Sequence, residues 1–132
     1  MQDADFSDEF CQFVQRTIPT VEAAELLLAL AAGPDEWWDR TQLPAKLRPS
    51  LGISDAEAAR YLDRFEANGL VAPGSGNRIR YRPASDELAA QAATLAQAYA
   101  ERPVTLIRMI YALRDAKIRS FADAFRLKQG GA

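Results

Sequence analysis

Three arginines occupy every second position of the short segment RIRYRP, which follows a Pro-Gly-Ser-Gly-Asn turn. Alternate residues of a β-strand lie on the same face. Arg78, Arg80 and Arg82 are therefore predicted to project together, while Ile79 and Tyr81 pack inward. Such a row of cations suits a polyanion, and the phosphate backbone of DNA is the obvious one. The alternative is an edge strand whose charges prevent aggregation.

A second candidate is the segment SDAEAARYLDRFEAN, residues 54–68, which has the apolar spacing of a helix. If Leu62 faces the core, Arg60 and Arg64 point away from it, because successive helical residues turn by about 100°. Two arginines one turn apart can reach phosphates or guanine edges. Alternatively, neighbouring acids such as Asp63 hold them in ordinary surface ion pairs. The candidate binding residues are Ser54, Glu57, Arg60, Tyr61, Arg64, Asn77, Arg78, Arg80 and Arg82, with Lys46 and Arg48 as further backbone contacts.

The composition argues against catalysis. The 132-residue chain has no histidine, the commonest general base and metal ligand, and only one cysteine, Cys11. Cys11 lies among apolar residues and is predicted to be a small buried hydrophobe. We find no glycine-rich phosphate loop and no calcium loop. The sequence predicts a non-enzymatic protein without metal or cofactor.

The net charge of −2 is unevenly distributed. Residues 1–36 contain eight acids and one base (−7), residues 37–84 five acids and eight bases (+3), and residues 85–132 five acids and seven bases (+2). The acidic N-terminal arm is a possible site for a protein partner, or chance scatter over a solvated surface. No apolar run reaches membrane-spanning length and the N-terminus resembles no targeting signal, so a cytoplasmic protein is expected.

Several helix signals frame the candidate residues. Ser or Thr caps are expected at Ser7, Thr20, Ser54 and Ser85, each before an apolar-periodic run. A short helix is expected at 41–50, and two strands are expected around the glycine-rich turn. The helix after Pro103 is apolar nearly all round and is therefore expected to be buried. A last helix is expected near 117–127. Trp37 and Trp38 are adjacent, so one is expected to be buried and the other partly open. They either pack in the core or form an aromatic site for a ligand or a partner.

Over residues 20–82 the expected order is helix, short strand, helix, turn, helix and hairpin. This order resembles a winged helix-turn-helix domain of the kind found in bacterial MarR-type regulators. The resemblance covers about half the chain. It implies that residues 54–68 are the recognition helix and 71–82 the wing. It is carried by Leu51, Ile53, Ser54, Ala58-Ala59, Leu62, Phe65, Glu66, Gly69, Leu70 and Val71.

The resulting expectation is a mainly α single domain, residues 1–132, with a winged helix-turn-helix core at 20–82. Residues 6–18 and 85–127 form flanking helices that either pair two copies into a homodimer or close a larger single core. The expected function is a DNA-binding transcriptional regulator. The alternative is a winged-helix protein-interaction module that does not bind DNA.

Overall fold

Helices dominate residues 6–46 and 52–115, which are the residues described by the computed structural model, and a small antiparallel sheet completes the fold. The expectation of a mainly helical chain is confirmed. The elements are α1 (Asp8–Thr17), α2 (Val21–Ala31), β1 (Trp38–Asp39), α3 (helical residues 43–46), α4 (Asp55–Ala67), β2 (Val71–Pro73), β3 (Arg78–Tyr81), α5 (Asp86–Glu101) and α6 (helical residues 103–115).

The four predicted helix caps are all present. In each case the side-chain hydroxyl accepts a hydrogen bond from the backbone N–H three residues later, which satisfies a donor that the first helical turn leaves free. At α4 the cap is reciprocal, because the Glu57 carboxylate also accepts from the Ser54 backbone N–H at 3.0 Å. Gly69 follows α4 with φ +76°, a left-handed conformation that ends a helix at little cost for glycine. The caps are Ser7, Thr20, Ser54 and Ser85.

The sheet has the order β1–β3–β2, with all neighbours antiparallel. Trp38 lies opposite Ile79, and Val71 lies opposite Tyr81. The two predicted hairpin strands are confirmed. The arginine-bearing strand β3 is the central strand, however, so the alternative of a charged edge strand is wrong. Strand β3 pairs with β2 from Ile79 to Tyr81 and with β1 at Arg78 and Ile79, so it is not an edge strand of the sheet.

The core lies between α1, α2, α4 and the sheet. Phe10, Phe13, Leu30, Phe65 and Ile79 are all at most 1% exposed. Because α1 contributes Phe10 and Phe13 to the core of a single copy, the acidic segment from residue 6 onward is not a free arm. The apolar face of α1 packs into the core of this copy, and the homodimer stays a prediction.

Helix α6 differs from its prediction. Its inward face, which includes Met109 and Ile110, is buried, but Val104 and Tyr111 are 61% and 50% exposed. The expectation that this nearly all-apolar helix is buried all round is therefore wrong, because the described chain supplies packing partners on one side of it only. The predicted helix near 117–127, and Arg48, lie outside the described residues.

Candidate nucleic-acid interface

The hairpin β2–β3 is held at its tip and at its base. At the tip, the Gly74 N–H donates to the Arg78 carbonyl at 2.8 Å, and the Arg40 N–H donates to the Asn77 carbonyl at 2.9 Å. At the base, the Arg82 N–H donates to the Leu70 carbonyl at 3.0 Å. The arginines of β3 are therefore carried on a backbone that is bonded along its length.

The alternation predicted for β3 is present. Ile79 is fully buried, and Tyr81 is half-buried, which raises the pKa of its phenol. Arg78 and Arg82 are exposed and Arg80 is half-buried. None of these three guanidinium groups forms an ion pair with a carboxylate in residues 6–46 or 52–115. Their positive charges remain available to an external anion.

Trp37 holds two of these arginines. The Arg80 guanidinium carbon lies 4.8 Å from the Trp37 ring centroid and that of Arg78 lies 5.6 Å from it, both within cation–π range. Arg78 also donates to the Ser75 hydroxyl at 3.0 Å. The ring lies so close to Gly74 that a Cβ there would be 2.3 Å from it. Trp37 is 38% exposed as a residue, and its ring orients the two cations without neutralising them.

Tyr61 does not lie where the sequence predicted. It is only 7% exposed and belongs to the buried face of α4, so the expectation that it flanks the exposed arginines is wrong. Phe65, one helical turn later, is also buried, and the two rings share one side of the helix. The Tyr61 hydroxyl oxygen accepts a hydrogen bond from the Thr20 hydroxyl at 2.9 Å. Tyr61 thus ties α4 to the start of α2.

The acidic side chains of α4 contact Arg40 and Ser54, whereas the sequence suggested ion pairs with the arginines of the same helix. Asp63 forms its ion pair with Arg40, which also binds Glu66 at 3.0 Å. Glu57 is engaged in the cap, and its hydrogen bonds with Ser54 lower the pKa of its carboxyl below the ordinary value. Arg60 forms no ion pair within 4.0 Å with these acids in the described residues, but its positive charge also lowers the pKa of the Glu57 carboxyl.

Arg60 and Arg64 lie on one flank of α4. Arg60 is exposed, and Arg64 is half-buried and donates to the Arg16 carbonyl at 3.0 Å. Both line a groove with Arg114 of α6. The opposite flank of α4, at Ala59, lines a second groove together with Arg40, Pro44 and Asn77 of the hairpin side.

The candidate set therefore divides into two cationic regions. One contains Arg60 and Arg64 beside α6, and the other contains the β3 arginines around Trp37. Between them lies the cluster of Arg40, Asp63 and Glu66, in which one cation faces two carboxylates. Sequence reasoning missed Arg40 and the role of Trp37, because their partners lie far away in the chain. Among the other candidates, Ser54 is engaged as a helix cap and Asn77 is exposed. Lys46 is also exposed, and its Nζ lies 6.0 Å from the centroid of the Trp38 ring.

The two tryptophans differ in exposure in the predicted sense, but the expected buried one, Trp38, is only half-buried against the core, and Trp37 is 38% exposed. Trp38 Nε1 is buried and has no acceptor among the residues that the structure describes. Because Trp38 is opposite Ile79 across the sheet, it packs on the inner face, and Trp37 turns to the arginine side.

Comparison with protein-family models, with curated proteins and with solved structures gave no match. Within the described ranges, no group of acidic or sulfur side chains is arranged to hold a metal ion. No helix of that part of the chain combines the length and the apolar character that a membrane crossing requires.

Proposed function

We propose that the chain is a winged helix-turn-helix protein that binds double-stranded DNA and regulates transcription without catalysing a reaction. The proposal is supported by the order α2–β1–α3–α4–β2–β3 and by the sheet order β1–β3–β2. The observation that carries it is the set of three β3 guanidinium groups without an ion pair in the described chain, Arg78, Arg80 and Arg82. Cations that face no internal carboxylate suit the phosphates of a nucleic acid backbone.

In this proposal α4 is the recognition helix and lies in the major groove, which is wide enough to admit a helix. The outward face of α4 carries small side chains at Ala56, Ala59 and Ala67, which permit a close approach to the base edges. Arg60 lies at the border of this face. The hairpin forms the wing and places its arginines on the phosphates beside the groove.

We further propose that the protein works in the cytoplasm as a homodimer, in the manner of the bacterial regulators that the sequence resembles. Support for the dimer comes from the apolar side chains that α6 exposes, Val104 and Tyr111. Two copies related by a two-fold axis would bind two half-sites about one helical turn apart. Light scattering after size exclusion tests the dimer: a monomer mass at micromolar concentration would exclude it.

The experiment for DNA binding is fluorescence anisotropy with a random-sequence duplex of about 25 base pairs over a salt series. The variant Arg78→Ala/Arg80→Ala/Arg82→Ala should bind more weakly and reduce the salt slope by about 2.7, since each neutralised phosphate contributes about 0.9.

The control for this triple variant must change the net charge equally at a distant surface. Ala89→Glu/Ala93→Glu/Ala100→Glu does so on exposed positions of α5, where it adds three negative charges. It should leave the slope near that of the wild type. A slope that falls equally in both triple variants would mean that only net charge matters, and the wing proposal would be wrong.

A second candidate function, a winged-helix adaptor that binds another protein, is favoured by one observation. The exposed side of α4 carries Asp63, whose side chain is 73% exposed, and Glu66, and their pairing occupies Arg40. Carboxylates on a helix repel phosphates at close range. The same anisotropy series separates the two functions, because an adaptor would not bind the duplex even at low salt. The acidic surface of the N-terminal helices is then the proposed partner site.

A further inference from the structure

One side of the three-stranded sheet combines an aromatic ring with a row of cations. Side chains alternate along a strand, so Trp38 and Ile79 lie toward the core, and Trp37, Arg78 and Arg80 lie on the opposite side. The register that places Trp38 opposite Ile79 also brings Trp37 level with Arg80. The outward face of the sheet consists of Trp37, Asp39, Ala72, Arg78 and Arg80, with Arg82 just beyond the end of β3.

The Trp37 ring lies across this outward face. Its backbone precedes β1 at one edge of the sheet, but the ring reaches Gly74 after β2 at the other edge, where a Cβ would be 2.3 Å from it. The ring therefore crosses the central strand, where the guanidinium carbons of Arg80 and Arg78 lie 4.8 Å and 5.6 Å from its centroid. Because 38% of Trp37 is exposed, the indole is a fixed aromatic surface that is open to solvent.

Positive charge exceeds negative charge around the ring. Arg78, Arg80 and Arg82 form no ion pair with a carboxylate in residues 6–46 or 52–115. The outward face contains one acid, Asp39, whose carboxylate accepts hydrogen bonds from the Thr41 hydroxyl at 2.6 Å and from the Thr41 backbone N–H at 2.9 Å. Three guanidinium groups are thus set against one carboxylate that is already engaged.

An exposed ring among unpaired cations suits an unpaired base better than a base pair. In a duplex the base faces are stacked inside the helix, and a protein meets phosphates, sugars and base edges. A single strand exposes its bases as well as its phosphates, and such bases stack on aromatic rings and on guanidinium planes. Duplex DNA can use the arginines of the outward face, but it offers the Trp37 ring no base on which to stack.

From these observations we propose that the outward face binds single-stranded nucleic acid. One unpaired base stacks on the exposed surface of Trp37 and Arg80, and the phosphates on either side of it lie against Arg78 and Arg82. Because every base has a π-face, the site accepts any sequence. The contacts between the ring and the arginines hold the site in place before binding, which lowers the ordering cost. The proposal goes beyond duplex recognition and does not depend on it.

The test is fluorescence anisotropy on the full chain with labelled single strands of about 12 nucleotides, a length within the usual site sizes of about 4–16 nucleotides. Three strands of equal length and charge are compared: oligothymidylate, oligouridylate and an abasic deoxyribose-phosphate strand. A base-bearing strand should bind at least tenfold more tightly than the abasic strand. The tighter of the two base-bearing strands identifies DNA or RNA as the ligand.

Trp37→Ala should weaken the binding of the base-bearing strand at least fivefold, because the loss of one base–aromatic stack costs about 1–3 kcal/mol. The affinity for the abasic strand should stay unchanged. The matched control is Trp38→Phe, which alters the neighbouring tryptophan on the inner side of the sheet and should bind like the wild type. Equal affinities for base-bearing and abasic strands, or wild-type affinity in Trp37→Ala, would overturn the proposal.

If Trp37→Ala does not fold, Trp38→Phe decides, because Trp37 is then the single tryptophan of the chain. Its emission should be quenched by the base-bearing strand and not by the abasic strand, and unchanged emission at saturation would refute the site. The random-sequence duplex, titrated in parallel, separates this inference from the proposed function. Duplex binding without single-strand binding refutes the inference alone, whereas single-strand binding without duplex binding supports it and refutes the proposed function.

Discussion

The stacking of two arginines on Trp37 gives a prediction that is specific to this arrangement. A double-mutant cycle with Trp37→Ala and Arg80→Ala should show a stabilising coupling energy, because the guanidinium carbon of Arg80 lies 4.8 Å from the centroid of the Trp37 ring. Exposed cation–π pairs are worth about 0.5–1 kcal/mol. We expect a coupling near the upper end for Arg80, which is half-buried, and near the lower end for Arg78, whose distance is 5.6 Å.

The assay is urea unfolding of the wild type, the two single variants and the double variant, followed through the circular dichroism signal of the helices. A parallel cycle of Trp37→Ala with Arg82→Ala is the control. Arg82 has no ring contact with Trp37, and its coupling should lie within about 0.3–0.5 kcal/mol of zero. Arg80→Met separates charge from packing, because it keeps a long apolar stem and removes the guanidinium. Equal couplings in the Arg80 and Arg82 cycles would refute the assignment of Trp37 as the residue that orients the wing cations.

Three further predictions concern stability. The capping hydrogen bonds lower the pKa of Glu57 from its ordinary value of 4.5, so the unfolded state binds the Glu57 proton more readily than the folded state; the stabilisation is present above that value and is lost as the pH falls through the folded pKa. Glu57→Gln should therefore make the free energy of unfolding, measured in urea, depend less on pH between pH 5 and 3. An unchanged pH profile would contradict this. Tyr61→Phe should lower the free energy of unfolding by about 0.5–1.5 kcal/mol, since Thr20 loses its acceptor, and a value near zero in urea titration would show that this bond is unimportant. Gly74→Ala should displace the Trp37 ring at a cost of about 1–3 kcal/mol and shift the tryptophan emission to longer wavelength, whereas an unchanged spectrum would contradict the close contact.

Local signals explain which parts of the fold could be predicted from the sequence. Each helix cap depends on a hydroxyl and a backbone N–H three residues apart, and the hairpin depends on a glycine-rich turn between two short strand-forming runs. Both patterns lie within a few residues of the chain. The alternation of Arg80 and Ile79 also follows from the strand period alone.

The features that could not be predicted all depend on partners far away in the sequence. The central place of β3 results from its pairing with β1, and the ion pairs of Arg40 reach Asp63 and Glu66 on α4. The exposure of Val104 and Tyr111 shows the same limit, because an apolar pattern does not reveal on which side a helix has a neighbour. Tyr61 was assigned to the surface because a tyrosine suits both buried and exposed positions of a helix, and its sequence position next to Arg60 does not decide between them.

The pairing of β3 with β1 has a consequence for how the arginine row is built. Trp37 and Trp38 come from a segment before α4, so the hairpin alone lacks both the indole that carries two of its cations and the strand that covers one of its edges. A peptide of residues 70–83 would be a two-stranded ribbon, which is marginal in water. The cationic surface therefore needs both segments, residues 37–39 and the hairpin, and it exists only where the fold holds them side by side.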